Sequence, residues 1–425
     1  MAGLELAIRT AMTQLGGHLL EGLLGGDTGY RGPVIVGNCG AGHQATFVSY
    51  REKTFDTVLG PITLARAYYH CSVCHTGVVP RDHQLGMVAV SLSPGLRSMV
   101  DRVGETVPFA KGSTLLSELA GIAVGAKRIE RGAEADGAVL VEASDREAAA
   151  MAAGDVVPLR VGEAPEKLYV AMDGTGVPMV AAELAGRKGK GPDGKARTRE
   201  VKLAVAFTQT HLDDDGYPVR DPDSSSYVAT FEAAEHFGVL VEAEARRRGA
   251  DHAGCVVVLG DGSPWIWNLA ESHFPTATHI VDLYHAREHI HDLAKLIAPI
   301  LGGGYHRWVE DRIAALDAGD IEGLCDAARG LKLPVPADAV VEAALAYFET
   351  NSERMRYATF RAAGHFVGSG TVESGCKAVI GQRLKLSGMR WAEHGAAGIA
   401  ALRCQEASGR WDQIWLRLHN QTSVA

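Results

Sequence analysis

Apolar positions recur every three to four residues through the opening stretch, MAGLELAIRTAMTQLGGHLLEGLLGG, and predict an amphipathic helix over 1–29. It lacks a basic start followed by a compact apolar block and a cleavage site, so it reads as a helix rather than a signal peptide. Across 30–94 the period shortens to that of β segments with turns, in GPVIVGNCG, ATFVSYR and FDTVLGPITLARAYYHC. Over 95–160 the helical period returns. One helix runs to Ala120, a short Gly121–Val124 turn follows, and a longer helix carries Lys127, Arg128 and Arg131. Two helices about a short turn resemble a DNA-binding helix-turn-helix, and equally an ordinary αα-hairpin.

From 161 to 290 the pattern changes again. KLYVAMDG, EVKLAVAFTQT and SSYVATF read as strands, FEAAEHFGVLVEAEARRRG as a helix, and CVVVLGDG and THIVDLYH as strands each followed by a helix. Three early strands and then alternating helix and strand predict a mixed α/β sheet. Residues 291–367 are helical and Ala-rich without strand signal, and 368–425 open with a helix near Thr371. GRKGKGPDGKARTR (186–199) is the one predicted flexible loop.

Composition changes this picture in two places. The chain has 425 residues and is 46% hydrophobic, enough for two or three domains, and no apolar run approaches the roughly 20 residues that span a bilayer. Seven cysteines, four of them isolated (Cys255, Cys325, Cys376, Cys404), fit a reducing cytoplasm better than a disulfide framework. The net charge of −9 disfavours nucleic acid as a partner, but the charge is segregated. Arg187–Lys202 holds seven Lys/Arg against two acids, and Lys377–Arg403 five against one. Such local patches, rather than the total, form an electrostatic footprint for a polyanion.

Candidate chemistry falls in two places. Cys39-x3-His43 and Cys71-x2-Cys74 can close a structural zinc site with no position left for water. His70 and His75 are alternatives to His43, and a redox CxxC is the rival reading. Further on, Asp173 and Asp261 each follow an apolar strand and precede a glycine, where chemistry collects in α/β sheets. An Asp-Gly there is also simply a good turn. A hard divalent cation binds through one or two carboxylates and completes its shell with water and phosphate oxygens. Two such ions, about 3.5–4 Å apart, can serve both oxygens of an in-line phosphoryl displacement. Glu373, on a basic helix, would supply the third carboxylate.

The segments LGPITLARAYYHCSVCHTGVVPRD (59–82), LYVAMDGTGVP (168–178), VVVLGDGSPWIWNLAE (256–271), IVDLYHAREHI (280–290), GSGTVESGCK (368–377) and LSGMRW (386–391) resemble bacterial insertion-sequence transposases of the ISKra group, relatives of the Mutator-like transposases. The resemblance implies a ribonuclease-H-like (RNase-H-like) catalytic core interrupted by an all-helical insertion, preceded by a zinc-binding β module and a helix-turn-helix. It implies an Asp-Asp-Glu set at Asp173, Asp261 and Glu373 holding two Mg²⁺ ions, with Mn²⁺ able to substitute. It places the family's Asp/Cys-x-x-His signature on Asp282 and His285 as active-site support. Where many relatives carry Cys-x-x-Cys in the first half of the zinc site, this chain has Cys39 and His43.

The implied activity is transposition: binding terminal inverted repeats, hydrolysing the phosphodiester at the element's end, and joining the freed 3′-hydroxyl to target DNA. The expected partners are those two DNAs, bound by a homodimer or higher oligomer that is cytoplasmic, at the nucleoid when on DNA, with no membrane. Lys377, Arg383, Lys385, Arg390 and Trp391 are expected on the DNA backbone. Trp265 and Trp267 read first as core, and His289 and His291 as solvated. Two rivals share the pattern: a two-metal nuclease or resolvase on the same fold, and a domesticated DNA-binding protein without catalysis.

Overall fold

The computed structural model describes residues 1–36, 42–158, 163–189, 194–331 and 335–414. The chain divides into two compact units: Met1–Glu142 with His394–Glu406 and the residues from Arg410, and Ala143–Glu393 with Ala407–Gly409.

In the first unit, helix α1 (Ala2–Gly25) packs on a four-stranded antiparallel sheet of β1 (Val34–Ile35), β2 (Gln44–Thr57), β3 (Gly60–His70) and β4 (Gly77–Val78), ordered as in the chain. Leu20 and Leu24 of the helix meet Phe55, Ile62, Leu64 and Met87, which explains why this face of α1 is apolar. The segment expected as one β run, FDTVLGPITLARAYYHC, is two strands. Thr57 pairs with Gly60 across a Val58-Leu59 turn, and no Asn-Gly or Asp-Gly marks it in the sequence.

A short α2 (Pro80–Gln84) leads to α3 (Pro94–Thr106), α4 (Phe109–Leu115) with a π turn to Ala120, and the long α5 (Ala126–Ala152). The single helix expected before Gly121 is therefore split, with Pro108 capping α4. Leu92, Leu96, Val100, Leu116, Ile122, Val124 and Ile129 form one apolar cluster under this helix–turn–helix shape.

The second unit is a mixed α/β structure. Its five-stranded sheet comprises β5 (Lys167–Pro178), β6 (Thr198–Gln209), β9 (Ser226–Thr230), β10 (Cys255–Gly260) and β11 (Thr278–Val281), with β7 (His211–Leu212) and β8 (Pro218–Val219) forming a side hairpin. The order is β11-β10-β5-β6-β9. β5, β10 and β11 run parallel, whereas β6 is antiparallel to both β5 and β9. The central strands Leu168–Met172 and Val257–Leu259 are buried on both faces, as the continuous apolar runs required. Helices α6 (Ala234–Arg247) and α7 (Pro264–His273) connect the later strands. Part of the predicted flexible loop, 190–193, lies outside the described residues.

The predicted helical insertion is present as α8 (Leu283–Leu301), α9 (Tyr305–Ala318), α10 (Ile321–Arg329), α11 (Val335–Thr350) and α12 (Tyr357–Ala362). The chain then returns through α13 (Gly370–Gly375), a π turn over Cys376–Gly381 and α14 (Gln382–Leu384). The last helix, α15 (Glu393–Ala407), belongs largely to the first unit rather than completing the core as expected for 368–425. It meets α5 through paired glycines: a Cβ on Gly137 would lie 2.2 Å from the Gly398 carbonyl. Among the described residues no helix is long and apolar enough to cross a membrane.

Candidate metal centres

The first unit gathers His43, Cys71 and Cys74, whose ligand atoms all lie within 4.8 Å of one another. Hairpin geometry brings them together. His43 immediately precedes β2, and Cys71 follows β3 at the paired end of the same ribbon, where Thr46 faces His70. The turn back into β4 is closed by the Cys71 amide donating to the Thr76 carbonyl (3.0 Å), which swings Cys74 toward Cys71. The Cys74 thiol is lowered to about 6, first by the Thr76 hydroxyl and then by His43, so the sulfur is a ready thiolate donor. One imidazole and two cysteine sulfurs fit zinc or a similar metal. The structure chooses His43 over His70 and His75, and Cys39 lies outside the described residues.

In the second unit, sheet register decides the geometry. Leu259 of β10 pairs with Ala171 of the parallel β5; Asp173 follows two residues on within β5, and Asp261 two residues on, just past the end of β10. Neighbouring strands are about 4.8 Å apart, and residues level on parallel strands face the same side. Val281 of β11 pairs with Gly260 of β10, and Asp282 and Asp261 each come next in the chain, just past the ends of those strands. One expectation needs correcting. Asp173 does not sit where its strand runs out, because β5 continues to Pro178 paired with β6. What ends near this level is β5's partnership with β10, whose last pair is Ala171 with Leu259.

The two aspartates feel each other. The Asp173 carboxyl is held above the ordinary carboxylate range, chiefly by burial and further by the Asp261 charge. The Cys376 thiol, the Gly174 amide and nearby His285 pull the other way. Each Asp261 oxygen takes one bond from Ser263, from its amide (2.8 Å) and its hydroxyl (3.1 Å), leaving a lone pair on each for a cation. Two mutually repelling, half-buried carboxyls suit a hard divalent ion.

Glu373 lies on α13, half exposed, with Lys377 4.0 Å away one turn on. The helical return carrying it is tied to the sheet at several points. Buried Asp282 caps α8 by accepting from the His285 amide (2.6 Å), while its other oxygen accepts from the amide of Ser369, the N-cap of α13. The Leu283 amide donates to the Val367 carbonyl (2.9 Å), so the neck of the helical insertion is closed at Asp282. Lys385 donates to Thr175 (2.5 Å), two residues along β5 from Asp173 and on the same face. Even so, the three carboxylates do not form a compact ligand set. Among the described residues the only group of three or more possible ligands within 4.8 Å is His43, Cys71 and Cys74.

Several expected contact residues are placed differently. Arg383 is fully buried with its guanidinium 5.0 Å from the Trp391 ring, and the buried Trp391 indole donates to the Leu384 carbonyl (3.0 Å). Both belong to the packing of the return segment rather than to a DNA-facing surface. Lys377, Lys385 and Arg390 remain exposed. Arg128 is engaged by Asp56 and Ser91, whereas Lys127, paired with Glu130, and Arg131 are exposed. Trp265 packs near Phe237 and Trp267 near His279, which accords with their reading as core. His285 pairs with Glu288 (3.3 Å). His289 is not solvated as expected: its ring stacks on Tyr347 at 3.7 Å. Tyr347 escaped the sequence reading because it lies in the helical insertion, far along the chain from every motif. Compared with known proteins, the chain matches no family model and no curated protein.

Proposed function

We propose that this protein is a metal-dependent DNA transposase of the ISKra type, with Asp173, Asp261 and Glu373 as its catalytic carboxylates on an RNase-H-like core. The observation that carries the reading is the last pair of the parallel β5 and β10, Ala171 with Leu259, two residues before Asp173 and Asp261 respectively, together with the Asp261 charge that acts on the Asp173 carboxyl. A sheet centred on its first strand, with an antiparallel pair on one side and parallel strands on the other, supports the fold. So does the helical insertion closed at its neck beside the same strand ends.

Asp173 and Asp261, completed by Glu373, would hold Mg²⁺, or Mn²⁺ in its place. When bound, two such ions neutralise the phosphodiester charge and favour in-line displacement at phosphorus. The chain's own contribution is placement. Ser263 orients Asp261, and Asp282 anchors the helix that carries Glu373. Lys377, Lys385 and Arg390 offer cations to the DNA backbone, where each contributes counterion release rather than sequence preference. His43, Cys71 and Cys74, with Cys39, would hold a structural zinc, and the helix–turn–helix of the first unit would present Lys127 and Arg131 to the terminal repeats.

The test is cleavage and joining of a duplex carrying the element's terminal inverted repeat. Asp173→Asn, Asp261→Asn and Glu373→Gln should each slow cutting on the order of a thousandfold, while leaving DNA binding and the circular-dichroism spectrum unchanged. A Glu373→Gln protein that cuts at the wild-type rate overturns the reading. Joining of the cut 3′ end to a second duplex separates a transposase from a nuclease or resolvase.

A further inference from the structure

The helical insertion reaches into the carboxylate site at one residue. Tyr347, on α11, donates its hydroxyl to the Asp261 main-chain carbonyl at 3.0 Å. That carbonyl needs an outside partner because β10 ends at Gly260 and its pairing with β5 stops at Leu259. The same ring lies against Gly262, which has φ +97; a Cβ there would be 2.5 Å from a ring carbon. Glycine at this turn is thus required both by conformation and by the tyrosine's approach. On α8, His289 stacks against the Tyr347 ring at 3.7 Å, with 17° between the planes. Arg329 of α10 bridges Glu342 and Glu349 of α11, and the neighbouring Phe348 is buried. The tyrosine is therefore held by the insertion and in turn holds the turn that aims Asp261.

We propose that Tyr347 is a positioning residue for the cation site: it fixes the Asp261–Gly262 peptide so that the Asp261 carboxylate points beside Asp173. This rests on the reading of Asp173 and Asp261 as ligands of a divalent ion. Ser263 holds the two carboxylate oxygens and Tyr347 holds the main-chain carbonyl, so the aspartate is fixed at both ends of its residue. Burial, with the charges of Asp261 and Asp282, keeps the phenol protonated and so a donor. The insertion thereby becomes a wall of the site rather than a detour in the chain. A change in the packing of α8 against α11 would be felt at Asp261 through this one side chain.

The test compares the full chain, loaded with zinc beforehand, with its Tyr347→Phe and Asp261→Asn variants, by titrating Mn²⁺ and reading free ion by electron paramagnetic resonance. Phenylalanine keeps the stack and loses only the hydroxyl, a bond whose loss corresponds to a roughly two- to tenfold change in affinity. The expected result is Mn²⁺ binding weakened by that factor in Tyr347→Phe and more in Asp261→Asn. Faster amide exchange in the 260–264 peptide of Tyr347→Phe should accompany it. A tyrosine that merely supports the fold would lower the melting temperature yet leave the Mn²⁺ affinity of folded protein and the exchange of that peptide unchanged, and this overturns the proposal. Should Asp261→Asn weaken Mn²⁺ binding and Tyr347→Phe not, the positioning role falls and the ligand role of Asp261 stands. Wild-type protein with no Asp261-dependent Mn²⁺ binding overturns both.

Discussion

The Cys–His cluster and the carboxylate cluster are built on opposite plans. In the first, three ligand atoms already lie within 4.8 Å, set there by the ends of one hairpin and a tight turn. The donors tolerate each other because an imidazole and thiols need not all be charged, and the Cys74 sulfur is stabilised by hydrogen bonds from its surroundings. In the second, Asp173 and Asp261 each follow the last β5–β10 pair by two residues, yet with Glu373 they form no group of that compactness. The Asp261 charge there works against ionisation of Asp173. The first site is assembled by the fold. The second is only framed by it, and on the proposed function a cation would complete it.

The largest test of that contrast removes a ligand from each. Purified protein should carry about one zinc per chain, and Cys71→Ser should lose it and destabilise the first unit by roughly 5 kcal/mol or more, since metal binding energy there is folding energy. Metal analysis and calorimetry check this. Asp173→Asn should do the reverse to stability. Because its folded-state pKa is raised, ionised Asp173 weakens the fold as pH rises through that value. The amide removes the charge, so the second unit should melt no lower than wild type at pH 8. A Cys71→Ser protein with unchanged zinc content and melting would break the comparison.

An intermediate effect should come from Asp282, a carboxylate close to the site but with a different task. It is buried and its two oxygens serve two backbone amides, one heading α8 and one heading α13. Asp282→Ala leaves both donors without their acceptor in a place water does not reach, and should cost about 3 kcal/mol of stability in the second unit. Denaturant unfolding measures it. A loss no larger than that of a surface substitution would mean that Asp282 does not anchor the neck of the insertion.

These contrasts also mark what could be read from the chain. The mixed sheet was legible because its central strands are unbroken apolar runs, each followed by an Asp-Gly, at Asp173 and Asp261. His43 was legible from its spacing to Cys39. The Val58-Leu59 turn was not, since Val and Leu are not turn residues themselves and the turn is made by their neighbours, the Thr57 hydroxyl that accepts from the Leu59 amide and Gly60 at φ +94. Arg383 looked like a phosphate contact because composition cannot say which side of a helix faces inward; its burial beside Trp391 is a tertiary fact. Tyr347 and the clasp between Asp282 and Ser369 join residues far apart in sequence, so no local period could announce them.

The smallest effect concerns a carboxyl pair in the first unit, Asp101 and Asp136. Asp101 of α3 is fully buried beside Asp136 of α5, and Arg97 forms an ion pair with Asp136. Burial first, and the Asp136 charge next, hold the Asp101 carboxyl well above the ordinary carboxylate range, while Arg97 opposes them. The folded chain therefore keeps a proton on Asp101 that the unfolded chain releases near pH 4. Stability tied to that proton is complete below the unfolded value and is lost as pH rises through the folded one. Asp101→Asn imitates the protonated acid, because its amide is neutral as well. Its melting temperature should equal that of wild type at pH 4 and exceed it increasingly toward pH 8, by a few degrees for a gain of about 1 kcal/mol. At Asp173, by contrast, burial and the Asp261 charge raise the carboxyl, while the Cys376 thiol, the Gly174 amide and His285 lower it. Thermal melts across that pH range decide the matter: an Asp101→Asn protein less stable than wild type at pH 8 would show that the ionised carboxylate is the form the first unit holds.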